Sequence, residues 1–218
     1  TKTQDITVTA RAKTVINLTP GMNFFSLPGD ALSSGINDII GSGVAVDLVV
    51  GYDATAANPW LTSVRDSTTG LFVGDLTSLK AGQGYIARAT AFVDLEVDIP
   101  TAAYNQLPGV TMVKGNAWSL IGPATRTAGA VVVDADDYLA GTKWSVCVTF
   151  NADPNAADKG WTSVRPDTTM SLAEGAINPY TGDAVDTEDN TGIVVGVPLL
   201  VERGYFCWFQ ADGTIVQQ

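Results

Sequence analysis

Short apolar runs separated by turn residues fill this chain, and few stretches carry a helical period. Residues 5–10 alternate strictly between apolar and polar. Further runs at 47–52, 85–89, 93–99, 144–150 and 205–209 are rich in Val, Ile and aromatic residues, with Gly, Pro, Asn and Asp between them. Strand side chains point alternately to two faces, so such runs predict short strands. One short helix is expected to carry Ile36, Ile39 and Ile40, capped by Ser33 or Ser34 and stopped by Gly41. Its counterpart is expected at 134–139, stopped by Gly141.

The pattern occurs twice. The string TSVR stands at 62–65 and again at 162–165, each shortly after a tryptophan, Trp60 or Trp161. Asp53 and Asp153 each follow a strand-like run with an aromatic near its end, Tyr52 or Phe150. FFSLPG at 24–29 is similar to AWSLIGP at 117–123, which pairs Phe25 with Trp118 and Ser26 with Ser119. Gly84-Tyr85 matches Gly204-Tyr205. Four anchors in one order describe an internal repeat whose loops have changed length. The expected organisation is an N-terminal strand or arm at 1–13, repeat unit one at 14–100 and repeat unit two at 104–218. A joint at 100–104 links them, and unit two holds an acidic insertion near 171–192.

Composition agrees with strands and turns. The chain has 19 Asp but only 4 Glu, and Asp favours turns because its short side chain bonds the neighbouring backbone. The fold class expected is therefore all-β: two tandem, diverged sandwich- or barrel-like units, each with at most one short helix. A net charge of −11 repels phosphate backbones and anionic membrane surfaces, so nucleic acid is not an expected partner. The chain has no histidine, the usual proton shuttle near neutral pH. No apolar run reaches the roughly 18 residues that a spanning helix needs.

Candidate chemistry is sparse. GQGYIA at 82–87 matches a dinucleotide fingerprint, but a strand rather than a helix is expected after it, which favours a plain turn at Gly82 and Gly84. Asn151, Asp153 and Asn155, with Asp158 beyond, have the spacing of a calcium loop. Ala156 stands where that loop needs Gly, and a β-turn is the favoured reading. Asp183, Asp186, Glu188 and Asp189 read as a solvated insertion. Asn17-Leu18-Thr19 is a glycosylation-type sequon followed by Pro20.

Cys147 and Cys207 lie in apolar strands, and the repeat aligns them with Val49 and Ala87, so both face a core. Two readings stand side by side: a disulfide if the strands are neighbours, or buried free thiols. Trp60, Trp118, Trp144, Trp161 and Trp208, with Tyr85, Tyr104 and Tyr205, offer rings for a sugar face. Most sit at repeat-equivalent positions, which favours core packing, and Trp60 and Trp161 are set apart because Asn, Pro or Gly precedes each in an expected loop. No nucleophile elbow, phosphate loop or metal-ligand cluster is present in the sequence, so no catalytic, cofactor or metal residue is assigned and an enzyme is not expected.

The motifs PGMNFFSLPGD, INDII, WLTSVRD and LTSLKAGQGYIAR resemble a repeat of large secreted prokaryotic surface proteins, S-layer-like or adhesin-like. Such repeats open on a Gly-Trp-Asn-Leu-like strand and close on a Gly-x-Gly-Tyr-Trp-like one. Here Met22 stands for the opening tryptophan and Ile86 for the closing aromatic, and unit two departs further with GNAWSLIGP and ERGYFCW. The resemblance implies a non-catalytic structural or interaction domain of an extracellular surface assembly, making protein–protein contacts and self-associating, without membrane insertion. The first alternative is a carbohydrate-binding module and the second a virion surface or decoration protein.

Overall fold

A computed structural model of the protein describes residues 11–101, 111–125, 130–166, 169–173, 175–178, 184–185 and 193–216. In the first part of the chain run β1 (Arg11–Leu18), β2 (Gly21–Ser26), helix α1 (Ile36–Ile39), β3 (Val46–Tyr52) and β4 (Trp60–Arg65). They are followed by β5 (Phe72–Gly74), β6 (Gly84–Ala89) and β7 (Val93–Pro100). The second part holds β8 (Thr111–Val113), β9 (Ala117–Ile121), β10 (Val132–Asp134), helix α2 (Ala135–Tyr138), β11 (Trp144–Asn151) and β12 (Gly160–Val164). It ends with β13 (Thr169–Leu172), β14 (Ile193–Gly196), β15 (Pro198–Leu200), β16 (Tyr205–Phe209) and β17 (Gly213–Ile215). The protein is all-β, built from antiparallel sheets, and no sheet of the described residues closes into a barrel.

Alternation along β7 shows how each unit gains its core. Val93, Leu95, Val97 and Ile99 are buried while Asp94 and Glu96 face solvent. β7 pairs with β1 in a two-stranded ribbon that also buries Ile16 and Leu18. The ribbon packs on a five-stranded sheet, order β2-β6-β3-β4-β5, around Phe25, Val49, Tyr85 and Ala87. A single two-stranded ribbon is marginal in water, so this face-to-face packing is what holds it.

The second part repeats the plan. A ribbon of β8 and β17 supplies Val113 and Ile215 to a core with Tyr205, Cys207 and Phe209 from a sheet of order β9-β16-β11-β12. Strand for strand, β9, β16, β11 and β12 take the places of β2, β6, β3 and β4. In unit one β5 flanks β4, whereas the chain after β12 instead enters β13, which pairs with β14 across the acidic insertion.

Both helices fall where the sequence places them, with different caps. Asp134 accepts N–H bonds from Asp136 and Asp137 at the start of α2. At α1 the cap residue is Gly35, with no side-chain cap bond, and Ser33 instead donates its hydroxyl to Asp38. β1 begins at Arg11, inside the segment expected as an arm, while the alternating run 5–10 lies outside the described residues.

Cross-strand register corrects two of the sequence pairings. Phe25 stands opposite Tyr85, and Ile121 stands opposite Tyr205. Since the two tyrosines correspond, Phe25 corresponds to Ile121 and Ser26 to Gly122, three residues beyond the Trp118 and Ser119 expected. Ser63 opposes Val49, whereas Val164 opposes Cys147, so the two TSVR strings are out of step by one residue.

Candidate functional site

The cysteine pair resolves first. Cys147 and Cys207 face each other on neighbouring strands, fully buried, and are joined in a disulfide. Their counterparts Val49 and Ala87 face each other in the same way in unit one. The tyrosine anchors also act alike. Tyr85 accepts the backbone N–H of Lys80 at 2.7 Å, and Tyr205 accepts that of Leu200 at 2.9 Å. Burial pushes the Tyr205 phenol up to about 12 and raises Tyr85 as well.

The units meet along a seam of reciprocal main-chain contacts. Ser26 donates its N–H to the Glu202 carbonyl at 3.0 Å, and its counterpart Gly122 donates to the Gly82 carbonyl at 3.2 Å. Glu202 and Gly82 each lie two residues before the matched glycines, so the two bonds are equivalent. The Ser26 hydroxyl adds a buried bond to the Val201 carbonyl at 2.7 Å. Contacts of i with j and of j with i mark a two-fold relation between the units.

The matched glycines follow from that approach. A Cβ at Gly84 would lie 2.3 Å from the Ile121 carbonyl oxygen, and one at Gly204 would lie 2.8 Å from the Phe25 carbonyl oxygen. Gly82, at φ +82, forms the turn before β6. GQGYIA is therefore a turn leading into a strand at the seam, without the following helix that a pyrophosphate site needs.

Two aromatic clusters flank the seam. In one, Tyr52 and Trp60 pack edge-on at 4.7 Å, Tyr52 meets Phe206 at 5.4 Å, and Phe206 stacks on Trp118 at 4.9 Å. In the other, Trp161 lies 5.2 Å from Phe150 and 5.6 Å from Phe24 of unit one. Trp60 and Trp161, expected in loops, stand instead at the start of β4 and within β12, and belong to separate clusters, each set against the opposite unit. Trp161 nevertheless stays 67% exposed beside an open apolar groove with Met22 and Ile86. Trp144 is buried in the core of unit two, and Tyr104 lies outside the described residues.

Two pockets also open on the seam and are counterparts of one another. The smaller, about 230 Å³, has walls that include Asn23, Phe150, Asn151, Leu200, Glu202 and Arg203. The larger, about 340 Å³, has walls that include Asp30, Tyr52, Asp53, Lys80, Gln83 and Ser119. Tyr52 answers Phe150, Lys80 answers Leu200 and Gln83 answers Arg203.

Charges at the seam are set by local partners. Burial raises the Glu202 carboxyl above its ordinary value. Asp158 is held low, chiefly by the hydrogen bond from Arg203. The Thr55 hydroxyl, followed by backbone N–H groups, holds Asp53 low.

The calcium-like spacing proves to be a turn network. Asn151 accepts from Asp153 N–H at 3.0 Å, Asp153 accepts from Asn155 N–H at 2.8 Å, and Asn151 donates to Asp158 at 2.7 Å. No cluster of three acidic or thiol groups suited to a metal occurs among the described residues. Asp183, Asp186, Glu188 and Asp189 lie outside them. Asn17, of the sequon, is an exposed residue of β1. None of the helices among the described residues is long and apolar enough to cross a membrane.

No family model, curated protein or solved structure matches the chain. The seam residues Ser26, Gly122, Asp30, Lys80 and Gln83 lie within strings that the sequence repeats or matches, but nothing in those strings brings the two units together. The repeated Gly-Tyr marks where the chain approaches the opposite unit.

Proposed function

We propose that this protein is a non-catalytic structural and interaction domain of an extracellular surface assembly. The buried disulfide between Cys147 and Cys207 carries the reading. Such bonds persist in oxidising surroundings and are rare where thiols are kept reduced. Reciprocal main-chain bonds between the units add to it, since a domain that transmits or displays gains from contacts that oppose hinge motion between its parts. Asp-rich turns whose side chains bond their own backbone keep the surface hydrated and limit association through sheet edges.

The test is light scattering with thiol counting on the purified chain under non-reducing conditions, with and without calcium. The expected result is no free thiol and a concentration-dependent population heavier than the 22.8 kDa monomer. A strict monomer with two titratable thiols overturns the reading.

A further inference from the structure

We propose that the larger seam pocket, with Asp30, Tyr52, Asp53, Lys80 and Gln83 in its walls, binds a single neutral pyranose. This goes beyond the assembly role and does not depend on it. The volume, about 340 Å³, lies at the small end of the range for small-molecule sites.

The polar groups of its walls are incompletely used by the protein. Asp30 spends one carboxylate oxygen on the Ala81 N–H, and Asp53 spends one on Thr55, which leaves a second acceptor on each. Gln83 accepts the Tyr85 hydroxyl through Oε1 at 3.0 Å, and its amide NH2 has no partner among the described residues. The Lys80 ammonium also has none among them. Ser119 also lines this wall, but its Oγ is buried on the face of β9 that opposes Cys207 and does not open into the pocket.

A pyranose matches this inventory. Each hydroxyl both donates and accepts, so neighbouring hydroxyls satisfy a carboxylate on one side and an ammonium or amide on the other. The C–H faces of the ring suit the apolar remainder of the wall, Tyr52, Met112 and Leu120. Two carboxylates against one ammonium disfavour an anionic ligand, and the ammonium disfavours a bare metal cation.

The counterpart pocket sharpens the assignment. There Leu200 replaces Lys80, and Arg203, bonded to Asp158, replaces Gln83. The repeat has kept the cavity in both places, but the Lys80 ammonium and the Gln83 amide stand in only one.

The experiment is an NMR titration of the intact, oxidised chain with the methyl glycosides of glucose, galactose, mannose and N-acetylglucosamine. One or more should saturate with a Kd of roughly 1–10 mM. Lys80→Ala and Gln83→Ala should each weaken that binding about fivefold, the worth of one hydrogen bond. Trp161→Ala, in the other aromatic cluster, should leave it unchanged. Thermal unfolding of each variant separates lost binding from lost fold. No saturation by any of the four sugars overturns the proposal, and so does binding that survives Lys80→Ala and Gln83→Ala but is lost in Trp161→Ala.

Discussion

Residues 62–65 and 162–165 are the same tetrapeptide on equivalent strands, yet they turn opposite faces to their cores. In unit one Ser63 is buried, donating to the Leu76 carbonyl at 2.6 Å, while Val64 is 51% exposed. In unit two Val164 is buried and Ser163 faces solvent. The tryptophans keep register, Trp60 opposite Tyr52 and Trp161 opposite Phe150. Unit one places Leu61 between its tryptophan and the threonine, and unit two has nothing there. One residue of slip exchanges the faces of a strand. The aromatic pair at the strand start sets the register, and local identity follows or fails to follow it.

The arginines of the two strings differ accordingly. Arg65 reaches the carbonyls of Val46 at 2.6 Å, Gly70 at 2.5 Å and Val44 at 3.0 Å, and lies 4.5 Å above the Phe72 ring. It pins the loop before β3 and the hairpin before β5 to one sheet edge. Arg165 is exposed.

The largest expected break between the units is the disulfide. It closes a separation of 60 residues, and replacing both cysteines by alanine should cost ~4 kcal/mol through the unfolded chain's regained freedom. The loss should fall on unit two, whose counterpart pair Val49 and Ala87 is noncovalent in unit one. Calorimetry of the double variant should then resolve an early transition, and amide exchange should place it in β9, β11 and β16. A transition lowered uniformly across both units contradicts the division of cores.

Next comes the seam. Gly84→Ala forces a methyl into the Ile121 carbonyl and should cost about 2–3 kcal/mol, with Gly204→Ala milder because its neighbour is farther away. Small-angle scattering should show the units less firmly joined in Gly84→Ala. Equal denaturation midpoints for both variants and the parent would count against a tight main-chain approach.

The tetrapeptides provide a smaller, more discriminating contrast. Ser63→Val removes a buried donor and orphans the Leu76 carbonyl, for about 1–3 kcal/mol. Ser163→Val changes an exposed site and should stay within about 0.5 kcal/mol. Denaturant midpoints of the two variants measure the slip directly, and identical losses would mean that the strings share one register after all.

The smallest effect is a pair of opposed pH dependences in unit two. Asp158 has its folded pKa depressed, so its contribution is present above the unfolded carboxylate value and is lost as pH falls through the folded one. Glu202 has its folded pKa raised, so its contribution is present at low pH and is lost as pH rises through the folded value. Glu202→Gln should therefore raise stability at pH 7, by less than about 1 kcal/mol after solvent screening, and leave it unchanged at pH 3. Thermal unfolding at the two pH values checks the sign. Destabilisation at pH 7 would reverse it.

Much of the fold is legible in the residues because strand formation is a local matter. The runs at 93–99 and 205–209 become β7 and β16 nearly residue for residue, and the Asp134 cap is visible beside α2. The repeat, too, survives in Gly84-Tyr85 and Gly204-Tyr205, because both tyrosines must reach a backbone N–H five residues upstream. That same repeat is enough to align Cys147 and Cys207 with Val49 and Ala87. Only strand order, however, decides that the two cysteines are neighbours.

The seam belongs to the tertiary structure alone. Its matched bonds run between main-chain groups of Ser26, Glu202, Gly122 and Gly82, and a main-chain bond leaves no side-chain signature. The larger pocket draws Asp30, Asp53 and Lys80 from one unit and Ser119 from the other, so no spacing along the chain announces it. Register is hidden for the same reason: it is chosen by the partner strand across the sheet, and TSVR carries no record of which partner it will meet.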